Sequence, residues 1–162
     1  MKEIKLTKGL YAIVDDNDYA ELNKHKWYAM GSKTSRTHYA ARGITTNGKL
    51  VIKLMHRIIF GIDSKDIKID HIDHNGLNNK RSNLRQCTHA ENTRNRTCIK
   101  QRGSTSKYKG VNLFQNKYYR AQITVNRKNI TIGYRKNEKA AALLYNAAAI
   151  KYFGEFANLN KV

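Results

Sequence analysis

The sequence has no proline, only two cysteines and few acidic side chains. Cys87 and Cys98 have no second pair, which excludes a disulfide scaffold and a four-cysteine zinc site. No apolar run reaches the roughly 18 residues of a membrane-spanning helix. The first ten residues, MKEIKLTKGL, lack the apolar core of a secretory signal. Together these absences favour a protein of a reducing cytoplasm with no membrane partner.

Positive charge dominates what is present. The chain carries 31 Lys and Arg against 12 Asp and Glu, a net charge of +19. Residues 92–162 hold 15 of the basic and 2 of the acidic side chains, a net +13. Such a segment repels itself unless it meets a polyanion, and each phosphate it neutralises releases counterions. We therefore expect a nucleic-acid partner. The plainer alternative is a solvated basic surface, as in a structural RNA-binding protein.

The first half of the chain has the pattern of short β-strands separated by turn residues. Asn47-Gly48 lies between two β-prone runs and is a strong hairpin signal. Residues 16–22 have helical character, and residues 54–60 predict a short apolar helix that ends at Gly61. The expected strands cover residues 4–6, 11–14, 27–30, 38–42 and 50–53.

The pattern changes after the small polar stretch 101–106, which we interpret as a linker. Runs with period-2 alternation at 111–113, 119–125 and 130–132 predict a small three-stranded antiparallel sheet. Asn137 and Gly154 fit the N-cap and the stop of an alanine-rich helix that packs on this sheet. The predicted fold class is α+β, with one domain over residues 1–100 and a second over residues 107–160.

The segment richest in chemically active side chains lies in the first domain. Residues 67–71 and 84–87 predict two short strands, and Thr88 with Glu91 forms a capping box that starts a helix. A β-β-α unit is therefore expected over about residues 67–96. It allows four polar side chains to converge: Asp70, His71, Asn83 and Asn92.

These four side chains fit the hydrolysis of a phosphodiester bond. The pKa of an ordinary His lies near neutrality, so His71 can act as the general base. Asp70 and Asn92 offer oxygen ligands to Mg²⁺ or another divalent ion such as Mn²⁺, which absorbs charge on the phosphate. We expect Asn83 to accept a hydrogen bond from the far nitrogen of His71. The spacing leaves an alternative open, in which the Asp, Asn and Gly residues only shape turns.

The order Asp70-His71, Asn83-Leu84 and Thr88-x-x-x-Asn92 resembles the HNH nucleases, in their phage and homing branch. The resemblance covers roughly residues 54–96. It implies a β-β-α-metal unit with Asp70 and Asn92 as metal ligands, His71 as general base and Asn83 as the central positioning residue. Asn92 stands where the family name places its last His, a variant of the homing branch.

The start of this segment, Met55-His56-Arg57, also resembles a family motif. We interpret His56 as a packing residue and Arg57 as a clamp for phosphate. A zinc site is not expected, because the two cysteines lack paired spacing.

One face of the predicted second sheet carries side chains that suit DNA. A β-sheet of this width can enter the major groove, where Arg reads guanine and Asn or Gln reads adenine. Lys117 and Lys128, expected in the hairpin turns, would hold phosphates. The candidate DNA-binding residues of this domain are Lys109, Asn112, Phe114, Lys117, Tyr118, Arg120, Gln122, Thr124, Arg127, Lys128 and Arg135.

The second domain also resembles a known module. The motifs Tyr108-Lys-Gly-Val111, Tyr119-Arg-Ala-Gln-Ile123 and Leu159-Asn160 are similar to the APETALA2-type DNA-binding domain of plant ethylene-response factors, also found appended to phage nucleases. The resemblance implies a three-stranded sheet in the major groove, backed by one helix. Asn112 and Phe114 replace the arginines of plant members, so the plant target sequence does not transfer.

The sequence thus predicts a metal-dependent, site-selective DNA endonuclease of the phage or mobile-element homing type. We expect double-stranded DNA as its substrate, no obligate protein partner, a monomer, and a location in the cytoplasm of a bacterial host. The alternative from another class is a non-catalytic, sequence-specific DNA-binding regulator that uses residues 107–160 alone.

Overall fold

The computed structural model describes residues 1–32, 37–64, 66–95 and 104–162. They form a mixed α/β protein that divides into two compact units, Met1–Asn92 and Thr93–Val162. Cys98 and residues 101–103 of the expected linker lie outside the described residues. None of the described helices is long and apolar enough to cross a membrane.

The elements from the N-terminus are β1 (Lys2–Lys5), β2 (Tyr11–Val14), α1 (Asp16–Leu22), β3 (Tyr28–Met30), β4 (Tyr39–Thr46), β5 (Lys49–Leu54), α2 (Met55–Phe60), β6 (Lys68–His71), β7 (Leu84–Cys87) and α3 (His89–Asn95). The strands of the first unit form three small antiparallel sheets, paired in the orders β1-β2, β3-β4-β5 and β6-β7. The boundary between the two units falls inside α3, after Asn92.

The turn signals of the first half are confirmed. Asn47 and Gly48 have φ values of 50° and 70° and join β4 to β5. Positive φ at both central residues is typical of a type I′ turn, whose twist matches that of the two strands in a hairpin with a two-residue loop. Helix α2 ends at Gly61 in the left-handed conformation, as a C-terminal glycine permits.

The N-terminal elements form the support of the β6-β7 hairpin. The Ile13 N–H on β2 donates to the Leu77 carbonyl at 2.8 Å, and the Asn79 N–H donates to the Ile13 carbonyl at 2.7 Å. Arg81 makes an ion pair with Asp18 on α1 at 2.8 Å. The long loop between β6 and β7 is therefore held from outside, a role for residues 1–50 that the sequence does not reveal.

The second unit is a three-stranded sheet in the order β8-β9-β10 with one helix packed on it. Its elements are β8 (Val111–Phe114), β9 (Tyr118–Val125), β10 (Lys128–Arg135) and α4 (Glu138–Phe153). The Asn137 side chain caps α4 by accepting from the N–H groups of Lys139 and Ala140, as the sequence predicts. Buried alanines of α4, Ala141, Ala142, Ala148 and Ala149, let the helix lie close to the sheet.

Residues 104–106, expected in the linker, are tied to the second unit. The buried Ser106 hydroxyl donates to Glu138 at 2.7 Å, and Thr105 accepts from the Leu113 N–H at 2.8 Å. Within the same unit, Lys109 Nζ donates to the carbonyl of Arg94, which lies on α3, at 2.7 Å.

Gly110 is the glycine whose replacement we expect to damage the second unit most. Its φ is +72°, and an added Cβ would lie 2.1 Å from the Tyr145 ring and 2.6 Å from the Gln122 carbonyl oxygen. Gly48 has nearly the same φ, +70°, but open space around it. Gly48→Ala should cost about 1 kcal/mol for the left-handed backbone alone. Gly110→Ala should cost about 1–3 kcal/mol more, because the side chain also clashes.

Urea unfolding of the two variants, followed by circular dichroism, measures this difference. Equal losses in the two variants would show that the close approach of Gly110 to Tyr145 is wrong.

Candidate functional site

The β6-β7 hairpin presents a buried ion pair. Its register places Asp70 opposite Arg85, and Arg85 donates to Asp70 Oδ2 through Nε at 3.0 Å and Nη2 at 2.8 Å. The two side chains are only 8% and 11% exposed. Burial strengthens the attraction between the charges, and it also makes the loss of either partner costly. The Asp70 side chain is therefore held at a fixed position.

His71, the next residue on β6, lies in a cluster of rings. The His56 ring meets it edge-on at 4.9 Å between centroids, and the Tyr39 ring lies 5.7 Å away. Burial lowers the pKa of His71, while the carboxylates of Asp73 and Asp70 oppose that shift. The lowered pKa keeps the imidazole neutral near pH 7, the form in which a ring nitrogen can accept a proton.

Asn79 is a neighbour of His71 that the sequence analysis takes for a turn former. Its side chain is completely buried, and its amide Nδ2 donates to the Leu77 carbonyl at 3.1 Å. The amide also faces His71, where it raises the pKa of the ring against the effect of burial. The sequence carries no local signal for this role, because Asn78 and Asn79 are adjacent amides and only the tertiary fold buries Asn79.

Asn83 has a different task from the one expected of it. Its side-chain Nδ2 donates to Asp73 Oδ1 at 2.9 Å and to the Asn78 carbonyl at 2.8 Å, and its Oδ1 accepts from the Asp73 N–H at 3.1 Å. The side chain thus orders the loop after His71, which corrects the expected hydrogen bond to the far nitrogen of that ring. The expected bond would use Oδ1 as its acceptor, and Oδ1 instead accepts from the Asp73 N–H.

Asp73 is the centre of that loop. Burial raises the pKa of its carboxyl, but hydrogen bonds from the Asn78 amide, the Asn75 N–H and the Asn83 amide outweigh it, and the pKa is lowered overall. The turn-forming interpretation of this segment therefore holds for Asp73, Asn75 and Asn78, beside the chemistry expected of Asp70 and His71.

Helix α3 starts as the sequence predicts. Thr88 donates to Glu91 Oε2 through its N–H at 2.7 Å and its hydroxyl at 2.8 Å, and the Glu91 N–H donates back to the Thr88 hydroxyl at 3.2 Å. These reciprocal bonds are a capping box. Asn92, half-buried on the first turn, is placed by it.

The Cys87 thiol lies where β7 leads into α3. Burial raises the pKa of this thiol to about 11, and the Asp70 and Glu91 carboxylates act in the same direction. The Asn92 N–H opposes them through a hydrogen bond to the sulfur. The carboxylate of one expected metal ligand and the backbone N–H of the other thus both influence this thiol.

Arg57 is used differently from the expected phosphate clamp. Its guanidinium, on α2, donates to the carbonyl oxygens of Ile67, at 3.0 Å, and of Ser64. These bonds fasten the segment that leads into β6. The sequence could not show this, because the carbonyls belong to a loop whose path depends on the tertiary fold.

In the second unit, the structure brings the expected exposed face together. Asn112 pairs with Arg120, and Phe114 pairs with Tyr118, across β8 and β9. The Arg120 guanidinium hydrogen-bonds the Asn112 amide and lies 5.4 Å from the centre of the Phe114 ring. Arg120 is thus held in place before any ligand binds. Gln122 and Thr124 follow it on the same face of β9.

The expected phosphate-binding side chains separate into two groups. Lys109 donates to the Arg94 carbonyl, so it serves the second unit itself rather than an exposed surface. Lys128 begins β10 instead of lying in the turn, which consists of Asn126 and Arg127. Among the residues expected to bind DNA, the basic side chains that are exposed are Lys117, Arg127, Lys128 and Arg135.

Tyr134 joins this face although strict alternation predicts otherwise. Ile130 pairs with Ile123 of the core, and counting by two from it would turn Tyr134 inward. A β-bulge between Thr131 and Gly133 shifts the register, so that Tyr134 pairs with Arg120 and lies 43% exposed. Its ring contacts Phe114, with 5.2 Å between centroids.

Comparison with known proteins agrees with the geometry of the hairpin. A family model for HNH endonucleases matches residues 53–94. An uncharacterized HNH endonuclease of Acanthamoeba polyphaga mimivirus is 34% identical over 160 residues, which cover 96% of this chain and 77% of the relative. The chain belongs to the HNH endonuclease family. This endonuclease therefore acts on DNA, and its family match includes Asp70, His71, Asn83 and Asn92.

HNH endonucleases generally use a divalent metal ion, and the donor set around Asp70 fits one. A buried carboxylate and the amide oxygen of Asn92 are hard ligands of the kind that Mg²⁺ prefers. In the part of the chain that the structure describes, no group of three or more His, Cys, Asp or Glu side chains is arranged to hold a metal. Water and substrate phosphate must then supply the remaining ligands.

The pH dependence of stability tests the cluster around His71. Burial, aided by the neighbouring His71 and Arg57, lowers the pKa of His56 from 6.5 to about 3. Below pH 6.5 the unfolded chain binds a proton that the folded chain excludes, so stability is lost as the pH falls from 6.5 towards 3. The free energy of unfolding should decrease by up to ~1.4 kcal/mol per pH unit from this residue. His56→Phe should reduce that slope.

Urea unfolding between pH 7 and 4 measures the slope of the unfolding free energy against pH. A loss of stability that is the same at every pH does not change this slope. His25→Phe, at an exposed position after α1, is the control and should keep the native slope. A slope unchanged by His56→Phe would contradict the burial of a neutral His56.

Proposed function

We propose that this protein is a metal-dependent, site-selective endonuclease in which the first unit hydrolyses the phosphodiester bond and the second unit selects the site. The observation that carries the proposal is the buried, neutral His71 beside the fixed carboxylate of Asp70 on one strand. A DNA endonuclease needs a proton acceptor and an anionic oxygen within one site, and these residues supply both.

His71 is the general base of the proposed reaction. Its neutral ring accepts a proton from water, whose oxygen attacks the phosphorus in line with the leaving group. The bond from phosphorus to the 3′ oxygen breaks, and that oxygen takes up a proton. The products carry a 5′-phosphate and a 3′-hydroxyl. Tyr39, His56 and Asn79 keep the ring in one orientation, and Asn83 orders the loop that follows it.

Asp70 and Asn92 would hold the divalent ion, with Mg²⁺ the best match to their oxygen ligands. When bound, such an ion supplies charge stabilisation at the phosphate and the leaving oxygen. Arg85 serves this site indirectly, since its two hydrogen bonds fix the Asp70 carboxylate. Asp70 gives the site its formal negative charge, so its loss should be felt more than the loss of Asn92.

The second unit provides the site selectivity in this proposal. It resembles the APETALA2-type domain, and its exposed face carries the preorganised Arg120 between an amide and an aromatic ring. The mimivirus relative aligns over 96% of the chain, so the similarity extends beyond the HNH segment into this unit. Lys117, Arg127 and Lys128 surround the face with positive charge suited to phosphates.

The biological setting belongs to the same proposal. A nuclease with its own DNA-binding module suits a homing role in a phage or another mobile element, acting in the cytoplasm of a bacterial host. Because the proposal has a single catalytic site in each chain, a monomer nicks one strand per binding event.

Nicking of supercoiled plasmid tests the catalytic assignment. The protein should convert supercoiled to open-circular plasmid with Mg²⁺, and EDTA should stop it. His71→Ala should reduce the rate by ~10²–10⁴-fold, as loss of a general base does. Asp70→Ala should abolish nicking, and Asn92→Ala should weaken it or raise the Mg²⁺ concentration required. Gel densitometry over time gives the rates.

His25→Ala is the matched control, a histidine replaced in the same unit but at an exposed position outside the site. Full activity in EDTA would exclude the metal. A near-native rate for His71→Ala would exclude this residue as the base.

Selection on randomised duplexes tests the reading of DNA by the second unit. Arg120→Ala should lose ~1–3 kcal/mol on the preferred site and relax the preference at one base pair, because Arg contacts guanine through its fixed fork. Lys128→Ala should weaken binding to all sequences alike and reduce the salt slope by about one unit.

Arg120→Lys keeps the positive charge but removes the planar guanidinium that can bind guanine through two hydrogen bonds. It therefore separates the loss of base preference from the loss of overall affinity. We expect it to lose the base preference while retaining more of the overall affinity than Arg120→Ala. If Arg120→Ala weakens every sequence equally, the arginine is a phosphate contact and not a reader.

A further inference from the structure

A cavity of about 440 Å³ opens at one end of the second sheet, lined by Phe114, Gln115, Tyr118, Tyr134, Arg135 and Lys136. Three of these six residues are aromatic, and two are cationic. Its volume lies in the range of cavities that hold small molecules. It is far larger than the methyl group of a paired thymine, the apolar group that a duplex presents in the major groove.

The rings that line this cavity are fixed relative to one another. Phe114 and Tyr134 lie 5.2 Å apart between centroids, with an angle of 49° between their planes. Tyr118 pairs with Phe114 across β8 and β9 and carries the Lys117 ammonium 5.4 Å from its ring centre. The β-bulge brings Tyr134 to the cavity. Without that shift in register, only Phe114 and Tyr118 would line it with aromatic rings.

The charge around the cavity identifies the class of ligand. Arg135 and Lys136 belong to its lining, and residues 92–162 have a net charge of +13. Aromatic faces combined with cations are what proteins use to hold single-stranded nucleic acid, because every base has a face that stacks and every nucleotide has a phosphate. Within a duplex the faces of a base are covered by its neighbours, so only a base that has left the stack can offer one.

We infer that this cavity binds an unpaired nucleobase of a DNA strand, by stacking on Phe114, Tyr118 or Tyr134 while Arg135 and Lys136 hold the adjoining phosphates. The inference rests on the proposed function, since it assumes that the second unit meets DNA. It adds a second kind of contact to the exposed face, in which Arg120 reads a paired base and the cavity takes one that is not paired. The nuclease would then prefer sites where the strands open or bend.

Fluorescence anisotropy with the full-length protein in EDTA tests this. The probes are a single-stranded deoxythymidylate oligomer, an abasic strand with the same number of phosphates, and a duplex. The protein should bind the base-bearing strand roughly tenfold more tightly than the abasic strand, as stacking on one aromatic side chain predicts. Tyr134→Ala should remove most of that ratio, and Tyr134→Phe should keep it.

Tyr152→Ala is the matched control. Tyr152 is 40% exposed against 43% for Tyr134, lies in the same unit and has a neighbouring lysine, Lys151, over its ring. Its removal should leave the ratio unchanged. Tyr134→Leu keeps an apolar side chain but removes the aromatic ring. It should lower the ratio of the two affinities as Tyr134→Ala does, and it keeps the test available if Tyr134→Ala does not fold.

Equal affinity for the base-bearing and abasic strands overturns the inference, whatever the duplex result. The inference is also overturned if Tyr134→Leu leaves the ratio of the two affinities unchanged. It is overturned as well if Tyr152→Ala lowers that ratio as much as Tyr134→Leu does. The duplex arm reports separately on the proposed function: a protein that binds the duplex but not the bases refutes the cavity alone, whereas failure to bind the duplex refutes DNA binding by the second unit.

Discussion

The pairing of β2 with the loop between β6 and β7 is the constraint on which the catalytic site depends. That loop follows His71 and leads to Asn83, and such a long connection would lose considerable conformational entropy on being ordered. Hydrogen bonds between Ile13 and the backbone of Leu77 and Asn79 fix its middle. The family segment, residues 53–94, is therefore incomplete as a structure, because Ile13 and Tyr39 outside it position groups inside it.

The site stabilises its buried polar groups in two opposite ways. Asp70 forms an ion pair with Arg85, and the pair shares the cost of leaving water. His56 and His71 have their pKa values lowered by burial, so they remain neutral and avoid facing each other as cations. One strand thus carries an ion-paired carboxylate and a neutral imidazole side by side.

Sequence reasoning succeeded where the cause of a structure lies within a few residues. The Asn47-Gly48 hairpin, the Thr88–Glu91 capping box and the Asn137 cap each depend on local backbone geometry. Asp70 and His71 could be singled out because adjacent residues of distinctive chemistry stand in a motif. Strand β7 has the predicted bounds, and β6 begins one residue later than predicted.

The failures concern side chains whose partners are distant in sequence. The sequence around Arg57 and Lys109 gives no sign of a partner for either side chain. Both donate to backbone carbonyls that only the tertiary fold brings near. Asn79 could not be separated from its neighbour Asn78, because nothing local decides which amide is buried. Tyr134 was missed because one irregularity in β10 shifts the alternation on which the assignment of faces depends.

That irregularity has a consequence for how such proteins diverge. The bulge gives β10 one residue more than β9 between the Thr131–Gln122 and Gly133–Ala121 pairs. Loss of that extra residue, Ile132, would make the pairing regular and leave Tyr134 opposite Arg120 on the outer face. If the strand kept its length and paired without a bulge, Arg135 would replace Tyr134 on that face, because successive side chains alternate. A relative can therefore lose one residue at this point without changing its outer surface, and an alignment gap here should leave the aromatic residue of the outer face in place.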